Sequence, residues 1–189
     1  MNGKIQFVFI GLVMVVLLLV AGCGTPVMRN TTTIHQPGGD YALVTFLRPT
    51  SFGGAINFAL WDGDQFIGII NAKKVVQYKA TPGPHLFLAR AENWSYLEAN
   101  LEAGKQYYVI GKVFPGVWKA RVALSPVVKD AEVTAEKLEQ WVSGGTPQEV
   151  IPEQLDAYQN PRQAQVQEAM AKFDAGEVKF EVLEADDYR

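Results

Sequence analysis

The chain has 189 residues, and its 17 basic and 20 acidic side chains give a formal net charge of −3. A mildly acidic chain without a run of Lys or Arg is a poor candidate for a nucleic-acid-binding protein, because neutralisation of phosphates dominates that affinity. The chain has one cysteine, which excludes an intrachain disulfide, so the fold must rest on a hydrophobic core.

The N-terminus has the pattern of an export signal. A short positive region with Lys4 precedes 14 residues without a charged or polar side chain, 7–20, and small residues then lead to Cys23. The run Leu-Leu-Leu-Val-Ala-Gly-Cys resembles a bacterial lipobox, so we expect residues 1–22 to be a lipoprotein signal peptide. The alternatives are an uncleaved membrane anchor, which needs about 20 apolar residues, and a plain secretory signal.

The lipobox resemblance implies that Cys23 carries a thioether-linked diacylglycerol and, in many bacteria, an amide-linked third acyl chain such as palmitate. Two or more acyl chains anchor a protein stably, so the membrane is an expected partner. Gly24 follows the cysteine, whereas an Asp at that place resembles the inner-membrane retention signal of enteric-type bacteria. We therefore expect an outer-membrane lipoprotein that faces the periplasm, with the inner membrane as the alternative.

Residues 23–40 are predicted to be the lipidated N-terminus and a flexible tether. Small, polar and turn-forming residues such as Thr31-Thr32-Thr33 and Pro37-Gly38-Gly39 dominate this segment, and it has no sustained apolar period. About 15 residues of this composition would hold a domain a few nanometres from the bilayer.

Residues 41–128 have the pattern of a β-domain. Ile56, Phe58 and Leu60 alternate with other residues, and Asp62-Gly63 after them is a strong hairpin signal. The turn at Thr81-Pro82-Gly83-Pro84 is one of several that recur every 8–12 residues. This spacing predicts a mainly β fold, an antiparallel β-sandwich, rather than βαβ units.

Residues 129–189 are predicted to form a helical C-terminal extension. Thr134 is a candidate N-cap for one helix, and Asn160-Pro161 is a candidate start for another. Val166, Met170 and Phe173 then form one apolar stripe. Either the stripe packs on the β-domain, which is the favoured interpretation, or it binds a partner. A last short strand is expected near residues 178–182.

The sequence offers few residues for catalysis. His35 lies in the predicted tether, and His85 follows a turn, where a structural role is the favoured interpretation. The chain has no Cys/His spacing typical of zinc and no nucleophile elbow. Asp62-Gly63-Asp64 fits a hairpin turn better than a calcium loop. We therefore predict no catalytic residue, no metal and no cofactor other than the covalent lipid.

Aromatic side chains are the one feature of the β-region with binding potential. Aromatic rings stack on sugars and peptides, although strands also use them for packing. The candidate binding aromatics are Trp61, Trp94, Tyr96 and Trp118.

Several short motifs within the β-region resemble those of a domain of unknown function found in bacterial lipoproteins, which is akin to the small PEGA-type sandwich domains. The motifs are Arg48-Pro49, the DG…IG pattern at Asp62-Gly63 and Ile67-Gly68, the PGxH turn at Pro82–His85, and the LxAGKxYY hairpin at Leu101–Tyr108. The resemblance implies a PEGA-like or immunoglobulin-like sandwich on a lipid anchor. It brings no catalytic residue.

The expected function is that of a membrane-anchored, non-catalytic envelope lipoprotein with a binding or structural role, whose partner is a protein or a glycan. The alternative is a small periplasmic enzyme or an accessory subunit of an envelope enzyme complex. A cleft with two perturbed carboxylates, or His85 within reach of a base, would favour the enzyme. An exposed aromatic face, or an apolar groove beside the helix at 161–174, would favour binding, and a featureless polar surface would indicate a spacer.

Overall fold

A computed structural model of the chain describes residues 26–115 and 121–189. Two β-sheets lie face to face, and their strands follow the β-rich, alternating segments of the sequence. Sheet 1 contains β1 (Met28–Asn30), β2 (Ala42–Leu47), β5 (Lys74–Ala80), β8 (Gln106–Phe114), β9 (Arg121–Pro126) and β10 (Thr146–Val150). Its strand order is β1-β10-β5-β2-β8-β9.

Sheet 2 is built mainly from two hairpins. It contains β3 (Phe58–Asp62), β4 (Gln65–Ile70), β6 (Gly83–Arg90), β7 (Trp94–Leu101) and β11 (Glu181–Leu183), in the order β11-β7-β6-β3-β4. The predicted hairpin turn lies between β3 and β4, where Asp62 pairs with Gln65 and Gly63 has a φ of 55°. Glycine is needed there because other residues rarely adopt a positive φ.

The prediction of a mainly β sandwich with C-terminal helices is confirmed. The sheets are mixed, however, because β2 with β8, β5 with β10, and β7 with β11 are parallel pairs. Each parallel pair joins strands that are far apart in the sequence. A pattern of local turns predicts hairpins, which are antiparallel, and gives no signal for such pairs.

The first core fills the space between the two sheets. Alternate residues of each strand point into it, so that Phe46 and Val109 of sheet 1 face Leu60 and Phe87 of sheet 2. Phe46 and Phe87 meet edge to face, with ring centroids 5.3 Å apart. Burial of these side chains is the main stabilising contribution available to a chain without a disulfide.

Within the described residues, three α-helices lie outside the sandwich: α1 (Ala135–Ser143), α2 (Pro152–Gln159) and α3 (Gln163–Asp174). Helices α2 and α3 cover the outer face of sheet 2 and form a second core, in which Val166 of α3 packs with Trp61, Phe66 and Leu88. The apolar stripe on α3 therefore packs on the β-domain.

The helix starts are partly as predicted. Thr134 caps α1, and its side chain accepts a hydrogen bond from the backbone N–H of Lys137. A helical turn begins at Asn160-Pro161 as predicted, but Asn160 has helical backbone angles and does not act as an N-cap. The helical segment begins at Pro152 and passes through a short 3-10 turn at Asn160–Arg162 into α3. Both helical segments have a proline at their start. A proline at a helix start does not show that another helical segment leads directly into it.

The segments before and after the predicted β-domain also contribute strands. Residues 28–30, expected to be part of a flexible tether, form β1 and pair with β10, and Val27 is buried in the second core. Beyond residue 128, β10 joins sheet 1 and β11 joins sheet 2. Leu183 of β11 is fully buried in the first core. Both ends of the described chain are thus tied into the sandwich.

Candidate ligand-binding site

A pocket of about 130 Å³ lies between the outer face of sheet 2 and the helical layer. We call it the aromatic pocket. The sheet contributes Trp61 of β3, Arg90 of β6 and Trp94 of β7 to its lining, and the helical layer contributes Tyr158 and Arg162. Ile69 of β4 and residues of α3 also line it, so the pocket lies where several strands and helical segments meet.

Two cation–π pairs line the aromatic pocket. The guanidinium carbon of Arg90 lies 5.2 Å from the centroid of the Trp94 ring, and these residues are cross-strand partners on β6 and β7. The guanidinium carbon of Arg162 lies 3.8 Å from the centroid of the Tyr158 ring, one helical turn away. Each pair holds an arginine in a defined position at low conformational cost.

Hydrogen-bond donors predominate in this pocket. Arg162 donates from Nη1 to the backbone oxygen of Tyr158 at 2.7 Å, which leaves its other N–H groups for a ligand. The indole N–H of the buried Trp61 has no hydrogen-bond partner among the described residues. The remaining polar lining residues are two amides, Asn57 and Gln165, and no described carboxylate lines the pocket.

The ring of Tyr158 is also part of the second core. It packs on Phe66, with centroids 4.4 Å apart. Burial raises the pKa of the Tyr158 hydroxyl, and the nearby Arg162 offsets part of that rise. Tyr158 is therefore a neutral side chain at physiological pH, and Arg90 and Arg162 make the pocket positive.

The structure brings two of the four predicted binding aromatics together. Trp61 and Trp94 both line the aromatic pocket, Trp61 with 1% of its surface exposed and Trp94 half-buried. Tyr96 is buried in the second core and stacks with Phe173 of α3 at 6.3 Å, so it packs rather than lines the pocket. Trp118 and Cys23 lie outside the described residues.

Sequence reasoning missed Arg90, Tyr158 and Arg162. The spacing of Tyr158 and Arg162, four residues apart on a helical segment, was the one available signal, because such residues meet on one helix face. The pairing of Arg90 with Trp94 across a hairpin depends on the strand register, which the sequence leaves open.

His85 lies close to a carboxylate, the observation that would favour an enzyme. Its Nδ1 lies 2.8 Å from Oδ2 of Asp62, and its Nε2 lies 2.8 Å from the backbone oxygen of Thr81. A carbonyl oxygen only accepts, so Nε2 must donate to Thr81, and a charged His85 can donate to both partners. The hydrogen bond to Asp62 is the main cause that raises the pKa of His85, and burial opposes it.

The hydrogen bonds of His85 have a structural role, because they connect two turns. The ring of His85 also stacks on Phe87 at 5.6 Å, and Asp62 adds to the effect of burial in raising the pKa of Tyr78 on the opposite sheet. Because both ring nitrogens are occupied, neither is available to take a proton from a substrate. The Asp-Gly and Pro-Gly-x-His motifs thus meet through Asp62 and His85.

The remaining candidates carry no comparable geometry. His35 donates its backbone N–H to the side chain of Gln77 at 2.7 Å. Among the described residues, no group of three or more His, Cys, Asp or Glu side chains is placed to hold a metal ion. Within 26–115 and 121–189, no helix is long and apolar enough to cross a membrane.

Comparisons of the chain with protein-family models, with curated proteins and with solved structures each found no match. The resemblance to the lipoprotein domain family therefore stays a prediction made from the motifs.

Proposed function

We propose that the protein is a non-catalytic, lipid-anchored binding protein of the bacterial cell envelope, and that the aromatic pocket binds an acidic glycan. The export pattern and the lipobox-like run that ends at Cys23 support the anchor. The observation that supports binding is the pair of arginine–aromatic contacts that line one pocket.

The lining of the pocket selects the class of ligand. Arg90 and Arg162 are donors, so the ligand must supply acceptors, and their two positive charges favour a carboxylate. Aromatic side chains beside these donors offer apolar contact to a sugar ring. A volume of about 130 Å³ admits one sugar unit or its carboxylate arm rather than a long ligand. A carboxylate-bearing saccharide therefore fits better than a neutral one.

The binding proposal is tested with the full chain purified in detergent and titrated with an oligosaccharide of galacturonic acid by calorimetry. Arg162→Gln should weaken binding about tenfold, since a charge-assisted hydrogen bond is lost in a partly buried site. Arg29→Gln is the matched control, because Arg29 pairs with Glu149 on the exposed edge of sheet 1. A neutral oligosaccharide that binds as tightly as the acidic one would contradict the proposal.

The anchor is tested separately in cells. Cys23→Ala should abolish labelling with a fatty-acid probe and leave the precursor uncut, because no other cysteine is present to accept the lipid. Normal labelling of that variant would overturn the anchor while leaving the glycan site untouched. Location in the outer membrane is checked by fractionation of labelled cells.

The motif resemblance supports the same proposal, since a PEGA-like sandwich on a lipid anchor brings no catalytic residue. The enzyme alternative would draw on His85, and the bond from its Nε2 to Thr81 is the argument against it. Replacement of His85 should therefore change stability rather than any turnover.

A further inference from the structure

A second pocket, of about 330 Å³, lies at one end of sheet 1, on the opposite side of the sandwich from the aromatic pocket. We call it the basic pocket. The end of β2, the start of β5 and helix α1 enclose it, and its charged lining residues are Arg48, Lys73, Lys74 and Lys137. No described carboxylate lines it.

Two of the three lysines of this pocket are held by neutral groups. Lys74 donates from Nζ to Oδ1 of Asn30 at 3.1 Å, and Lys137 donates from Nζ to Oε1 of Gln140 at 3.0 Å. No ion pair involving the three lysines is found among the described residues. Their charges are therefore concentrated without local compensation, which makes the pocket strongly positive.

Arg48 also lines the pocket, and its guanidinium is directed toward the 52–56 segment. Only 1% of its surface is exposed, and its guanidinium donates to the backbone oxygens of Phe52, Gly53 and Ile56. It contacts the ring of Phe58 at 5.2 Å, and its Nε has no hydrogen-bond partner among the described residues. A buried cation is usually paired with an anion, because burial of an isolated charge is costly. The backbone carbonyls to which Arg48 donates are neutral groups and not anions.

Lys73 is held in a strained backbone conformation at the edge of this pocket. Its φ is 60°, the one positive value at a residue other than glycine in the described chain. Hydrogen bonds on both sides fix it, since its N–H donates to Arg48 O at 2.8 Å and its carbonyl accepts from Thr146 N at 2.9 Å. Glycine would fit this φ without strain, so the lysine side chain is kept there at a cost.

A simpler role for these lysines would be to neutralise the end of α1. The helix ends at Ser143, and Gly145 after it packs so closely on β5 that a Cβ would lie 2.6 Å from Val75. A helix C-terminus carries about half a negative charge. The three lysines carry three formal positive charges, which exceed that, so most of their charge is left for another anion.

We propose that the basic pocket binds a phosphate-bearing small ligand, with Lys73, Lys74 and Lys137 as the charged contacts. Phosphate offers several acceptor oxygens to lysines that approach from different elements. The ring of Trp141, which also lines the pocket, gives the rest of the ligand an apolar wall. The source of the phosphate is either a free phosphate ester or a phospholipid headgroup, and both present the same group.

The test measures the melting temperature, Tm, of the full chain in detergent at constant ionic strength, with sodium chloride replaced stepwise by inorganic phosphate. Tm should rise with phosphate in the parent chain and in Lys112→Gln. Lys112 is the matched control, because it is an exposed lysine that donates to a neutral group, Ser125, on another part of sheet 1. In Lys73→Gly and in Lys137→Gln, the phosphate concentration that gives half of the rise should be about tenfold higher.

Lys73→Gly separates binding from stability, since relief of the positive φ should raise Tm without phosphate by about 2–4 °C. That variant should thus be more stable and yet respond less to phosphate. Glycerol phosphate is then compared with short-chain phosphatidylglycerol, which is used below its micelle concentration. The compound that raises Tm at the lower concentration shows whether the pocket prefers a free phosphate ester or a phospholipid headgroup. No rise beyond that given by chloride, or the same response in all variants, would overturn the proposal.

Discussion

The two cores of this protein differ in which part of the chain supplies them. The first core is filled mainly by residues of 42–124, which local hairpins and the long-range pairs of β2 with β5 and β8 bring together, and Leu183 is its contribution from the C-terminal segment. The second core has the sheet on one side and α2 and α3 on the other, with Val166 and Ala169 from α3. The first therefore depends on the sheets, whereas the second depends on the C-terminal segment.

Sheet 2 is the element that both cores share. On β3, the consecutive residues 58–61 are all buried, because the sheet is covered on both faces. A strand covered on both faces has a continuous apolar run instead of a clean alternation. The helical segment is therefore a third layer of the fold, and the aromatic pocket lies where that layer meets the sheet.

Removal of the third layer should have the largest effect. Truncation after Val128 deletes β10, β11 and both covering helices, and it exposes Trp61, Phe66 and Leu88. Each large side chain returned to water costs about 1.5–3 kcal/mol. Together with the lost strands, this approaches the whole stability of a typical domain, about 5–15 kcal/mol. We expect no cooperative transition in urea, measured by circular dichroism.

A truncated chain that unfolds cooperatively at the midpoint of the full chain would contradict this reading of the two cores. It would show that residues 41–128 fold on their own and that the helices add little to the free energy of unfolding.

Two adjacent residues of β6 test the cores separately, because Phe87 faces the first core and Leu88 the second, and both are fully buried. Phe87→Ala should cost about 3–5 kcal/mol and Leu88→Ala about 2–5 kcal/mol of unfolding free energy. Val166→Ala provides the second change in a double-mutant cycle. Its effect should add to that of Phe87→Ala but not to that of Leu88→Ala, since Leu88 and Val166 share one cluster.

Urea unfolding of the single and double variants measures both cycles. Equal coupling of Val166 to Phe87 and to Leu88 would mean that the protein has one continuous core instead of two.

The sequence predicted the parts of the fold that are locally determined. The Asp62-Gly63 turn and the Thr134 cap depend on residues a few positions apart, and both are found. Strand β10 was missed because Thr146–Val150 contains a proline and polar residues with little tendency to form strands. It becomes a strand because β5 and β1 lie on either side of it.

The candidate sites were likewise predicted only in part, because residue types can be recognised in the sequence but their arrangement in space cannot. The aromatics Trp61 and Trp94 were found by residue type, but the arginines beside them come from β6 and from the turn before α3. The basic pocket joins Lys73 and Lys137, which are far apart in the sequence. Neither charge pattern can be detected before the strands and helices are placed.

The smallest effect is expected from loss of the hydrogen bond between His85 and Asp62, which lies beside Phe87 of the first core. His85→Gln removes the charged donor and should cost about 1.5–3 kcal/mol at pH 6, the range for a hydrogen bond that involves a charged group. The pKa of His85 is raised in the folded chain, while the unfolded value is about 6.5. The stabilisation is therefore fully present below about pH 6.5 and is lost as the pH rises through the folded value.

Urea unfolding of the parent chain and of His85→Gln at pH 6, 7.5 and 9 measures this dependence, and the difference between them should shrink toward pH 9. His35→Gln is the matched control, because the described contact of His35 with Gln77 uses backbone atoms, and that variant should show no such trend. A difference that stays constant with pH would mean that His85 acts through packing on Phe87 and not through its charge. In that case the first core would be apolar up to its edge, and the Asp-Gly and Pro-Gly-x-His motifs would be turns that meet without stabilising each other.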